Sequence, residues 1–177
     1  MVKKLAVFFG FVLFFLLSLM YFTPKENIYF ALENELKKYD VIISNESVSD
    51  NGFTLSLSDA ELFFKSIKSA DIKEIDIKIF GLYNAVNIYD VKLSKSASSF
   101  LPLNIQKVTI THSIFNPLNI KIYELGDDGE IEGSFNLLEM ALHIIFEPSE
   151  LMLEKYKNSM REFKKSEDGS YSYDKTF

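Results

Sequence analysis

The chain has 177 residues and contains no cysteine, no tryptophan and only two histidines. Without cysteine there are no disulfides, no iron–sulfur clusters and no thiol chemistry, and the redox character of its compartment leaves no trace in the sequence. The seven glycines are scattered singly, so no glycine-rich loop can cradle a phosphate. The net charge is −6 and no basic stripe is visible, which argues against contact with nucleic acid.

Candidates for chemistry are equally sparse. His112 lies in the apolar register of Val108 and Ile110, and His143 lies between Leu142 and Ile144 on a polar register. No Gly-x-Ser-x-Gly elbow and no His-x-x-x-His pair is present. Both histidines read as structural or solvated rather than catalytic. Asp127-Asp128-Gly129-Glu130 lacks the alternating acidic spacing of a calcium loop and reads as a hairpin turn. Glu74 and Asp76, flanked by Lys73 and Lys78, read as a solvated face. The expectation is a protein with no catalytic, cofactor or metal site.

What the chain does have is one long apolar run. Leu5–Phe22 reads LAVFFGFVLFFLLSLMYF, without a charge. At about 1.5 Å per residue it is just long enough to cross a hydrocarbon core of about 30 Å. Leu5, Phe8, Phe11, Leu13, Phe15 and Leu17 would face lipid, with Tyr21 and Phe22 at the membrane–water boundary. A signal peptide is the alternative. The run is longer than an ordinary signal core, and Ser18–Thr23 offers no small-x-small cleavage site, which favours an uncleaved anchor. Lys3 and Lys4 before the run place residues 1–4 in the cytoplasm and send residues 23–177 across. In a bacterium with two membranes that location is the periplasm, behind an inner-membrane anchor.

Beyond the run, Thr23-Pro24-Lys25-Glu26 has the form of a capped helix start. Ile28, Leu32 and Leu36 predict an apolar stripe on a helix over about 25–38. From Asp40 the period becomes two. Leu55 and Leu57, then Ala60, Leu62 and Phe64, imply a slip near Ser58-Asp59. Ile75, Ile77 and Ile79 follow, then Val86 and Ile88, and after a second slip Tyr89, Val91 and Leu93. Similar alternation runs to Phe146, so strands are expected over about 40–146.

After Glu147-Pro148-Ser149 the stripe Met152, Tyr156, Met160, Phe163 predicts a second helix over about 149–165, and a last strand is expected over about 170–175. The fold class expected is α+β: one transmembrane helix, then a curved antiparallel meander with one apolar and one polar face, flanked by two amphipathic helices. Phe63, Phe64, Phe80, Tyr83, Phe100 and Phe115 are its surplus aromatics. They could line a lipid or peptide groove or fill the core, and core is the favoured reading.

The order of elements also resembles a known group. A span, a short helix and then Gly52-Phe53-Thr54-Leu55-Ser56-Leu57 are similar to the start of proteins of the type II secretion N-protein kind and the wider AsmA-like envelope group. Gly129-Glu130-Ile131-Glu132-Gly133, Pro148-Ser149 and Gly169-Ser170-Tyr171 resemble that group's hairpins, closing helix and closing strand. The resemblance implies a non-catalytic, membrane-anchored component or assembly factor of a secretion, type IV pilus or DNA-uptake machine. Its partners would be the membrane and other proteins of that machine. The alternative it implies is lipid binding or transfer.

Overall fold

Eleven strands hydrogen-bond into one antiparallel sheet in the computed structural model, which describes residues 2–95, 102, 104–167 and 169–177. The chain opens with helix α1 (Val2–Phe22) and helix α2 (Lys25–Lys37). The strands are β1 (Val41–Ser44), β2 (Ser47–Asp50), β3 (Leu55–Phe64), β4 (Ile67–Ile79), β5 (Tyr83–Leu93), β6 (Asn104–Ser113), β7 (Asn116–Gly126), β8 (Gly129–Asn136) and β9 (Ala141–Pro148). Helix α3 (Glu150–Lys155), a 3-10 turn (Lys157–Met160), β10 (Lys164–Lys165) and β11 (Tyr171–Thr176) close the chain.

The order across the sheet is β1-β3-β4-β5-β6-β7-β8-β9-β11-β10, with β2 also on β3. β1 and β2 are two halves of one edge, lying along opposite halves of β3. Strands β3 to β9 lie side by side in chain order, as short turns dictate.

Helix α1 is long and apolar enough to cross a membrane. None of it is packed inside the protein, and Leu5, Phe8, Phe11, Leu13, Phe15, Leu17, Tyr21 and Phe22 are all exposed. Only Thr23 and Pro24 separate it from α2.

The expected cap at Thr23 is not formed. Its hydroxyl donates back to the Leu19 carbonyl (2.7 Å), and Pro24 occupies the cap position without a side-chain bond. The expected stripe on α2 is also rotated. Ile28 and Leu32 are exposed, whereas Lys25 and Tyr29 are buried. The face turned to the sheet is set by two polar anchors that apolar periodicity does not register. Tyr29 donates to Glu46 (2.8 Å), and burial with that carboxylate nearby pushes the phenol well above its usual range.

Both expected slips are present as left-handed residues, Asp59 (φ 57°) and Asp90 (φ 51°). Asp59, Lys73, Asp90 and Gln106 stand opposite one another as an unpaired row between regular ladders on four strands. The same row shifts the alternation of every strand it crosses. Ala60, Ile72 and Val91 therefore stay in one buried cluster with Leu57 and Ile75. Asp and Asn tolerate this left-handed geometry better than β-branched residues do.

Two cores result. The first joins Tyr29 of α2 to Leu55, Leu57, Ala60, Ala70, Ile72, Ile75, Ile77 and Val91. The second joins Phe146 to Met152 and Met160, flanked by Ile131, Tyr156, Phe163 and Tyr171. The final helix is much shorter than expected. Met152, Tyr156, Met160 and Phe163 all turn inward, but the backbone leaves the α-helix after Lys155. Tyr156 departs from helical geometry (φ −117°, ψ 18°), and Lys164-Lys165, expected at a helix terminus, form β10 instead. Ser149 does cap α3, accepting from the Met152 amide (3.2 Å) and donating to the Asp127 carbonyl (2.7 Å).

Candidate functional site: an apolar strip across the open sheet

Strand pairing places complete rows of side chains on one face. One row runs Leu55–Ile77–Val86–Ile110–Ile122–Gly133–Ile144–Tyr173 across eight strands. The next runs Leu57–Ile75–Ile88–Val108–Glu124–Ile131–Phe146–Tyr171. On the opposite face, the row beginning Ser56–Asp76–Asn87–Thr109 is polar and bonded across strands. Ser56 donates to Asp76 (2.6 Å) and Thr109 to Asn87 (3.1 Å).

Cover differs along the apolar rows. Leu55 and Leu57 are fully buried where Tyr29 of α2 packs on them, and Phe146 is buried under α3 and the 3-10 turn. Between these ends, Val86, Ile88, Val108, Ile110, Ile122 and Ile144 are only half-buried. Asn87, Thr109 and Thr111 of the polar face have the same intermediate exposure. Val86 and Ile88 pack at the margin of the first buried cluster, whereas Val108, Ile110, Ile122 and Ile144 belong to neither cluster, although side chains of this type ordinarily seek cover. Gly133 adds a dimple to the strip, since its missing side chain would sit against Ile122 (3.4 Å) and Ile144 (3.8 Å).

One carboxyl interrupts the strip. Glu124 and Asp128 form a buried acidic pair, and Oε1 of Glu124 and Oδ1 of Asp128 have no hydrogen-bond partner. Burial first, and the neighbouring Asp128 second, push the Glu124 carboxyl up to about 7. Burial also raises Asp128. Two acids in this environment hold a proton at pH values where a solvated pair would be fully ionised. The residues Asp127-Asp128-Gly129 do form the expected hairpin turn, with Gly129 at φ 131°. Among the described residues no cluster of three or more potential ligands could hold a metal.

Both histidines engage neighbours. A ring nitrogen of His112 meets the Pro117 carbonyl at 3.0 Å, and His143 Nδ1 lies 2.6 Å from Asp174. Ser134 stands opposite His143 in register, but His143 and Asp174 are exposed.

The favoured core reading is not met by the described surplus aromatics. Phe64, Tyr83 and Phe115 are exposed, Phe63 and Phe80 are half-buried, and none belongs to either buried cluster. Phe100 lies outside the described residues. Phe80 and Phe115 sit in turns between strands, Tyr83 opens β5, and Phe63 and Phe64 end β3.

The residue that apolar patterning missed is Lys25. Its side chain is 0 % exposed, and its Nζ donates to the carbonyls of Met20 (3.1 Å), Thr23 (3.3 Å) and Gly52 (2.5 Å), with Asp50 at 3.9 Å. It thus terminates α1 and ties it to the turn before β3. Tyr21 stacks edge-on to Phe53 in the same turn (5.5 Å between ring centres) and leaves no room for a side chain at Gly52. A lysine just after an apolar run, followed by a polar turn containing glycine, is the pattern that could have signalled this latch.

No protein-family model, no curated protein and no solved structure matches the chain.

Proposed function

We propose that this protein is a membrane-anchored, non-catalytic lipid-binding protein. In this reading it takes acyl chains on the open apolar strip of β5–β8. The observation that carries the proposal is the unsealed middle of the sheet. Had α2 and α3 covered the whole apolar face, the strip would simply be core. Instead they cover its two ends and leave a band of Ile and Val side chains for an apolar ligand. Helix α1 serves as an uncleaved single-pass anchor, with residues 1–4 cytoplasmic and the sheet periplasmic at a bacterial inner membrane. The AsmA-like resemblance points the same way.

Photo-crosslinking tests this with the full-length protein in bilayers containing a phospholipid that carries a diazirine at the acyl terminus. Crosslinks are expected on β5–β8 as well as on α1, and Ile122→Glu should remove those on the strip while sparing those on α1. Thr109→Glu, on the polar face, should change neither. Crosslinks confined to α1 in the native protein would refute lipid binding by the strip.

A second reading, an assembly factor of a secretion or pilus-type machine, rests on a different observation. β10 pairs only with Tyr171 and Ser172, so among the described residues no strand pairs with Tyr173–Thr176 on that edge. An open edge of this kind accepts a partner strand. Tagged full-length protein recovering secretion or pilus membrane proteins, with that recovery lost on Tyr173→Pro, would favour it.

A further inference from the structure

The two ends of the sheet differ in character. At the end where α1 stops lie the turn 51–54, the β4–β5 turn at 80–82, the β6–β7 turn at 114–115 and the β8–β9 turn at 137–140. Each carries a large exposed apolar side chain: Phe53, Leu82, Phe115 and Leu138. Phe115 is 88 % exposed and Leu138 74 %. The Ile114 amide donates to Leu82 O (3.0 Å), which joins the β4–β5 and β6–β7 turns, and the Leu137 amide donates to Leu118 O of β7 (2.7 Å). At the opposite end, Phe64 and Ile67 are exposed at the β3–β4 turn, but Lys65 and Ser66 form its tip. Tyr39 is also exposed there, next to Asp40, whose carbonyl accepts from the Lys65 amide, and among the described residues the β7–β8 turn at this end is Asp127-Asp128.

The apolar rim is also fixed relative to α1. Phe53 touches Tyr21 on the last turn of α1, and Lys25 ties the same turn to the carbonyls at the helix end. Neighbouring turn tips are two strands apart, about 10 Å, so Leu82 and Phe115 lie within about 20 Å of Phe53 along the sheet. Sheet twist of about 20° per strand carries later turns progressively away, which limits the argument to the first three.

We infer that these three turns, through Phe53, Leu82 and Phe115, dip into the surface of the bilayer that α1 crosses. The occupant of this apolar rim is lipid because the rim is continuous, through Tyr21 and Phe53, with a helix able to span the membrane. Aromatic and aliphatic side chains at that depth exchange water for the headgroup–acyl boundary. The inference rests on α1 being a membrane span. It adds to lipid binding by placing the near end of the apolar strip at the bilayer, where an acyl chain could pass onto the sheet without crossing water.

The absence of native cysteine allows single labels at chosen positions. Full-length Leu82→Cys, Phe115→Cys, Lys65→Cys and Leu13→Cys proteins, each carrying a polarity-sensitive fluorophore, are reconstituted in phosphatidylglycerol–phosphatidylethanolamine vesicles. Brominated lipid is then added as a quencher. Labels at 82 and 115 should be blue-shifted and quenched at least half as strongly as the label at 13, with the label at 65 unaffected. Quenching at 13 with none at 82 and 115 overturns the rim inference and leaves the span intact. No quenching at 13 overturns the span, and the rim with it. Equal quenching at 65 and 115 overturns the end-specific contact. Circular dichroism of each labelled protein confirms that the sheet is retained.

Discussion

Replacing Lys25 with methionine isolates the contribution of the latch. Methionine keeps much of the aliphatic stem, so the change removes charge and donors more than volume. The ammonium, itself fully buried, donates to three carbonyls and lies 3.9 Å from the partly exposed carboxylate of Asp50. A hydrogen bond from a charged group contributes about 1.5–3 kcal/mol, and removing one partner of a buried charged pair costs about 3–5 kcal/mol. The contributions do not add. Thr23 O keeps a second donor, the Lys25 backbone amide (2.9 Å), and Asp50 keeps the Gly52 amide (2.7 Å). The expected loss is therefore about 3 kcal/mol. Urea unfolding of the full chain in a mild detergent, followed by far-ultraviolet circular dichroism, measures it. Lys65→Met is the exposed control and should change stability by less than about 0.5 kcal/mol. The loss at Lys25 should persist at high salt, because a fully buried cation is poorly screened. If Lys25→Met matched the control, the latch would be incidental and the fixed approach of α1 to the sheet would lose its main support.

Two other outcomes follow from the same geometry. The Glu124 carboxyl titrates near 7 in the folded protein but near about 4.3 in an unfolded chain. Folding therefore takes up a proton between those values. Stability is greatest below about pH 4 with respect to this group and falls as pH rises through 7, by on the order of 2 kcal/mol once partial exposure is discounted. Glu124→Gln should abolish that slope in urea titrations at pH 5 and pH 8; an unchanged slope would show that Glu124 is not its source. Phe146→Ala empties the centre of the second core and should cost about 3–5 kcal/mol, read as a lower unfolding midpoint, whereas Phe115→Ala should leave the midpoint unchanged.

Period-two alternation located the strands because an antiparallel sheet with one apolar face imposes that period directly. Even its two slips correspond to real features, since Asp59 and Asp90 are the residues at which the backbone turns left-handed. Helix faces were less legible. Ile28 and Leu32 formed the obvious stripe on α2, but the orientation was decided by the Tyr29–Glu46 bond and the Lys25 latch, both long-range and polar. In the closing segment the spacing of Met152, Tyr156, Met160 and Phe163 correctly marked what is buried and wrongly implied a continuous helix. A short segment that docks all four side chains on Phe146 can do so through a 3-10 turn as well as through an α-helix. The bare middle of the apolar face could not be read from sequence. Whether a second layer covers an apolar strand depends on where the helices dock, and α2 lies against β1 and α3 against β9, at the two ends of the apolar rows.

The sequential order of the central strands has a consequence for how the fold is reached. Each strand from β4 to β8 needs only the strands just before and just after it in the chain. The sheet can therefore zip in chain order, starting at the hairpin next to α1, without waiting for distant segments to meet. Loop closures stay short and each added strand is stabilised on arrival. Until the last strand arrives, however, every intermediate presents a freshly formed edge to solvent, open to pairing with a neighbouring copy. An anchor that holds each growing sheet apart in the plane of a membrane would limit such encounters.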